Sequence, residues 1–69
     1  MTYRTLTRKL RHLGCEFVRQ AAGSHKIWWR PDNKHFTTIP HHGNRDIPIG
    51  TLRAILRDLA FVRDEIDRA

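Results

Sequence analysis

Residues 15–40 read CEFVRQAAGSHKIWWRPDNKHFTTIP, and their grouping decides the fold. From Cys15 to Gln20 apolar and polar residues alternate, Ser24 to Arg30 is rich in strand formers, and His35 to Ile39 is a third such run, closed by Pro40. Ala21-Ala22-Gly23 reads as the first turn. Pro31-Asp32-Asn33-Lys34 reads as the second, because proline presets the first turn dihedral and Asp and Asn tolerate the others. Short runs joined by tight turns predict an antiparallel meander of three strands.

Side chains alternate across a strand, so one ring of Trp28-Trp29 enters the core and the other does not; the residues leave open which. By the same parity His25, Ile27 and Trp29 share one face, and Lys26, Trp28 and Arg30 share the other. The second face carries two cations and reads as the wetter. With Ile27 and Trp29 turned inward, His25 reaches a ligand only at the end of the sheet or through a bulge.

Helical patterns flank the meander. Before it, Leu6, Leu10 and Leu13 recur at helical spacing from Tyr3 to Leu13, with Arg4, Arg8, Lys9 and Arg11 between them, and Gly14 supplies the left-handed residue that ends a helix. After it, His41 to Asp46 is a polar loop. A second helix begins at Pro48 or Gly50 and carries Leu52, Ile55, Leu56 and Leu59, with Arg53 and Arg57 on the opposite side. Val62 to Arg68 offers a short helical turn packed through Phe61 and Ile66. Two helices on one face of a three-stranded antiparallel sheet bury all of these stripes. The predicted class is α+β in the order α-β-β-β-α, of the double-stranded-RNA-binding type, with residues 1–69 as a single domain.

Size and charge narrow the function. A chain of 69 residues holds one small core and no separate cofactor-binding domain, so its function belongs on a surface. Thirteen Lys and Arg against seven Asp and Glu give a formal charge of +6, and residues 1–57 alone hold 11 basic and 3 acidic groups, a net of +8. That surplus favours an anionic partner, nucleic acid above all. The single cysteine, Cys15, excludes an intramolecular disulfide, fits a small buried residue and suits a reducing compartment. No apolar run approaches the roughly 18 residues of a membrane span, and no signal-peptide core opens the chain. The expected location is the cytoplasm.

Five histidines are the candidates for chemistry. Imidazole suits phosphodiester cleavage because its ordinary pKa lies near neutrality, so it can take a proton from an attacking 2′-hydroxyl or give one to the leaving oxygen. Lysine or arginine stabilises the added negative charge on phosphorus. His12 closes the first helix, where a positive charge is favoured structurally, and His35 opens the third strand as a surface residue. The adjacent His41 and His42 lack the ligand spacing of a zinc site, and no Cys or acidic cluster completes one, so no metal and no other cofactor is expected. His25 follows a glycine and a small hydroxyl residue at a strand entrance beside Lys26. Spacing alone does not separate a catalytic role for it from a surface one.

Gly14 after the first helix, Gly23-Ser24-His25, Ile39-Pro40 with His42 just beyond, and Gly50-Thr51-Leu52-Arg53 through Ile55-Leu56 together resemble the HicA toxins of bacterial and archaeal toxin–antitoxin pairs. The resemblance spans most of the chain. It implies a fold like that of double-stranded-RNA-binding domains, an mRNA interferase activity requiring the histidine of the Gly-Ser-His motif, here His25, and an antitoxin of the HicB type that covers the active face. Cys15 stands where a bulky aromatic is frequent in the family, and Trp28-Trp29 is heavier than usual, which bears on local packing. The resulting expectation is metal-independent cleavage of mRNA with His25 as general acid or base and His42 as the second proton-transfer group. Ser24, Lys26, Arg45 and Arg53 are the expected RNA contacts. Two rivals stand beside it: a non-catalytic module that grips double-stranded RNA by shape and charge, and an interaction protein that docks a partner through an exposed tryptophan and basic residues.

Overall fold

The meander forms as its turns dictate. The computed structural model describes residues 1–69, with α1 at Tyr3–His12, β1 at Glu16–Gln20, β2 at His25–Arg30, β3 at His35–Pro40, α2 at Ile49–Asp58 and α3 at Arg63–Arg68. The sheet has the order β1-β2-β3, both pairs antiparallel. His25 faces Pro40 at one end and Arg30 faces His35 at the other. A bulge at Val18 shifts the β1 register between Phe17 and Arg19. No helix is long and apolar enough to cross a membrane.

Each helix has an identifiable start and stop. Thr2 caps α1, its hydroxyl accepting the Thr5 N–H at 3.2 Å, and Gly14 ends it with φ of +92°. Pro48 precedes α2, where its missing N–H costs nothing. Ala60 leaves α2 in the left-handed region, φ 60°, and its N–H and that of Phe61 close back on the carbonyls of Arg57 and Leu56. Arg30 supports the same terminus, one guanidinium nitrogen donating to the carbonyls of Leu59 and Ala60 at 3.0 Å each while its carbon lies 4.0 Å over the Phe61 ring.

Twelve buried residues form one core: Leu6 and Leu10 of α1, Cys15, Trp28, Ile39, Ile47, four residues of α2 and its cap, Phe61, and Ile66 of α3. The short helical turn expected near the C-terminus is α3, held by Ile66 and by the Lys9 ammonium, which donates to the carbonyls of Ile66 and Ala69. The parity of β2 holds, but the face assigned as wet is the covered one. Trp28 is 1% exposed beneath the helices, with its indole N–H on the Tyr3 hydroxyl at 3.0 Å, while Ile27 and Trp29 lie on the open face. The reason is that the two cations flanking Trp28 do not need water: Arg30 finds helix carbonyls, and Lys26 finds the side chain of Gln20. All of β1 is exposed despite its alternating pattern: α2 packs against the other edge strand, β3, which buries Thr37 and Ile39, and only Cys15 just before β1 enters the core.

Candidate nucleic-acid site

The connection between β1 and β2 is a four-residue hairpin turn that aims His25. Gly23 takes φ of +62°, a conformation that a side chain disfavours. The Ala21 N–H donates to the His25 carbonyl at 2.8 Å, and the His25 N–H returns to Ala22 at 3.3 Å. Across this turn lies the amide of Gln20, whose Nε2 donates to the carbonyls of Ala21, Gly23 and His25 at 3.2, 2.7 and 3.1 Å. The Lys26 ammonium closes the clamp by donating to Gln20 Oε1. His25 is thereby held exposed at the first position of β2, on the same face as Ile27 and Trp29. Because Ile27 and Trp29 lie on the open face and not against the helices, His25 is exposed at the end of the sheet by ordinary strand parity, with no bulge of its own needed.

The end of β3 brings the histidine loop to the same place. The His41 N–H donates to the Ser24 carbonyl at 2.9 Å, extending the β2–β3 pairing past Pro40. The His41 ring stacks on Tyr3 with centroids 4.1 Å apart and planes 12° apart, and Tyr3 in turn receives the Trp28 indole. The loop is thus braced on the core through aromatic contacts. His42 follows, exposed, in a turn closed by the Arg45 N–H on the His42 carbonyl at 3.2 Å, with Gly43 at φ +62°.

Ser24, His25, Lys26, His42 and Arg45 therefore belong to two adjoining turns at one end of the sheet. Arg53 does not: it projects from α2 and lines a groove with Arg57, Phe61 and Arg63. Lys26 has at least one donor committed to Gln20. Gln20 and Tyr3, which support the site, were not among the candidates read from the sequence, and His41 was weighed there only as a metal ligand beside His42. Gln20 ends a strand just before a small-residue turn, and that is the one signal that could have marked it. No group of three or more His, Cys, Asp or Glu side chains lies together as a metal-ligand set.

The charge around the site is unbalanced because the acids are occupied elsewhere. Glu16 accepts the Trp29 indole N–H, Asp46 pairs with the N-terminal amine at 3.1 Å, Asp32 lies 3.8 Å from Arg30, and Asp58 accepts the Thr37 hydroxyl. Within the C-terminal segment Asp64 pairs with Arg68, Asp67 with Arg63, and Glu65 accepts the Val62 N–H. Arg4, Arg8, Arg11, Arg45, Arg53 and Arg57 have no acid within ion-pair distance. Burial pushes the Cys15 thiol up, against a weaker opposing pull from Arg30.

Residues 3–60, from the first residue of α1 to the left-handed Ala60, match the family model described as "HicA toxin of bacterial toxin-antitoxin". The chain belongs to the HicA toxin family. No curated protein and no solved structure matches it. As a HicA protein it is the toxin of a toxin–antitoxin system. The matched span contains the Gly23-Ser24-His25 turn and the histidine loop, whereas α3 lies beyond it.

Proposed function

We propose that this HicA toxin is an mRNA interferase that cleaves RNA without a metal ion, with His25 transferring a proton at the scissile phosphate. The observation that carries the reading is the aim of the hairpin turn. Gln20 holds the backbone of the turn that places His25, exposed, at the mouth of β2, beside a second turn holding His42 and Arg45, in a surface where acids are occupied elsewhere. Two imidazoles and neighbouring cations are enough for transesterification of RNA. One takes the proton of the 2′-hydroxyl as that oxygen bonds to phosphorus. The P–O5′ bond breaks, and the other protonates the departing 5′-oxygen, leaving a 2′,3′-cyclic phosphate and a 5′-hydroxyl. His25 is one of these groups and His42 the other. Ser24, Lys26 and Arg45 contact the phosphate at the cut, and Arg53 contacts the strand further along. An antitoxin of the HicB type covers this end of the sheet when bound.

The test is incubation of RNA with wild-type and His25→Ala protein in chelator, followed by end-group analysis. Wild type gives cyclic-phosphate and 5′-hydroxyl ends, and the variant is slower by about 10²–10⁴-fold, the usual contribution of one acid–base group. Undiminished cleavage by His25→Ala removes the central claim. A substrate carrying 2′-deoxyribose at the cut remains intact, and its cleavage would eliminate the 2′-hydroxyl route. RNA binding without new ends from wild type would favour the non-catalytic RNA-binding module.

A further inference from the structure

The exposed side of α1 is cationic, and no acidic side chain pairs with its arginines. The helix contains no acidic residue. Arg4, Arg8 and Arg11 are exposed and line one groove with His12 and Ala69. At 1.5 Å rise per residue, Arg4 and Arg8 are about 6 Å apart along the axis and Arg11 about 4.5 Å further, all on one stripe. Lys9 is excluded from this set because its ammonium is spent on the carbonyls of Ile66 and Ala69. α3 packs nearby with three acids, but they are tied up by Arg68, Arg63 and the Val62 N–H. Arg11 is also prepositioned, its guanidinium 4.9 Å over the Trp28 ring. The stripe begins beside the candidate site, since Tyr3, the residue before Arg4, stacks on His41.

A row of unpaired cations at turn-by-turn spacing suits a chain of regularly spaced anions better than a single small anion. We infer that this face of α1 is an RNA exosite, in which Arg4, Arg8 and Arg11 hold phosphates flanking the bond presented to His25. The inference rests on the RNA-cleavage reading above and adds to it the surface that grips the strand. Binding there is electrostatic and indifferent to sequence.

Salt dependence of binding provides the test. His25→Ala protein, which leaves the strand uncut, is titrated with a labelled single-stranded RNA oligonucleotide over a range of KCl concentrations. Each phosphate contact contributes about 0.7 to the slope of log affinity against log salt. In that background Arg4→Gln, Arg8→Gln and Arg11→Gln together lower the slope by about 2 and weaken low-salt binding by about 10-fold or more. The corresponding triple lysine variant keeps the slope, which separates lost charge from a damaged helix. Arg19→Gln with Lys34→Gln, two exposed cations away from α1, leaves it unchanged. A triple glutamine variant with the parent slope overturns the exosite, and so does an equal loss per charge in the control pair, which means diffuse attraction. In either case cleavage by the wild type leaves the proposed function standing. No RNA binding by His25→Ala and no cleavage by wild type remove both readings, and point to an acidic protein as the occupant of the stripe.

Discussion

The outer surface of the helices carries Arg4, Arg8, Arg11, Arg53 and Arg57, all exposed, whereas the open face of the sheet carries Val18, Ile27, Trp29 and Phe36. Phe17, Val18, Trp29 and Phe36 form a shallow apolar depression there, with the Trp29 and Phe36 rings 5.3 Å apart. The formal charge of +6 is therefore not spread over the molecule. It is densest along α1, which carries four cations and no acid, whereas apolar side chains line the open face of the sheet. His25 lies where these two surfaces meet, at the end of β2 and one hydrogen-bonded step from the loop that stacks on α1. A net charge read from composition suggests a polyanion. Where that polyanion lies is decided by which elements carry cations with no acid beside them, and α1 is such an element.

The sharpest break in this comparison comes from the two tryptophans. Trp28→Ala removes the largest buried side chain of the covered face, together with its bond to Tyr3 and its contact with Arg11. It should cost about 3–5 kcal/mol, a large part of the stability of so small a domain. Trp29→Ala loses the Phe36 contact, the bond to Glu16 and one wall of the shallow depression, all on the open face, and should cost about 1 kcal/mol. Urea unfolding of both variants measures the difference. Equal losses would mean that the open face is as structurally committed as the covered one.

The element order was legible because its signals are local. Leucine spacing gave α1 and α2, the Pro31 to Lys34 turn gave the β2–β3 hairpin, and Gly14 gave the stop between α1 and β1. The burial of Phe61 and Ile66 was legible too. What could not be read was tertiary. Which face of β2 meets the helices depends on where Lys26 and Arg30 find partners, and those partners, Gln20 and the carbonyls of Leu59 and Ala60, are brought to them only by folding. The end of α2 was blurred because Ala60 occupies the left-handed position that glycine usually marks. At the site, the Gly23-Ser24-His25 turn stood out, while its supports did not. Gln20, Tyr3 and His41 act through contacts that no spacing rule encodes.

A smaller effect tests the positioning of the site against its stability. Gln20→Ala removes three donations across an exposed turn and should lower stability by about 1 kcal/mol. If the clamp aims His25, RNA cleavage should fall by about 10-fold, more than the small unfolded fraction explains, since modest misplacement of a reacting group is costly. Gln20→Glu separates the halves of the clamp. It keeps an oxygen for Lys26 but has no N–H to give the three carbonyls, so it should resemble the alanine variant. Full activity in Gln20→Glu would assign the positioning to the Lys26 contact instead.

The smallest effect lies deep on the covered side. Cys15 is 3% exposed, and burial pushes its thiol above the ordinary value of 9.0. Below that pH the thiol is protonated in both folded and unfolded chains, and its packing contributes in full. As pH rises past it, the unfolded chain releases the proton first, so the stability contributed by Cys15 declines until the folded thiol also ionises. The decline is at most about 1.4 kcal/mol per pH unit. Other groups titrate in this range, so the informative quantity is the stability difference between wild type and Cys15→Ala. That difference should be constant from pH 7 to about 8.5 and shrink above about pH 9. A constant difference through pH 10 would show that the thiol reaches water in the folded protein, and that the covered face is less completely closed than its burial implies.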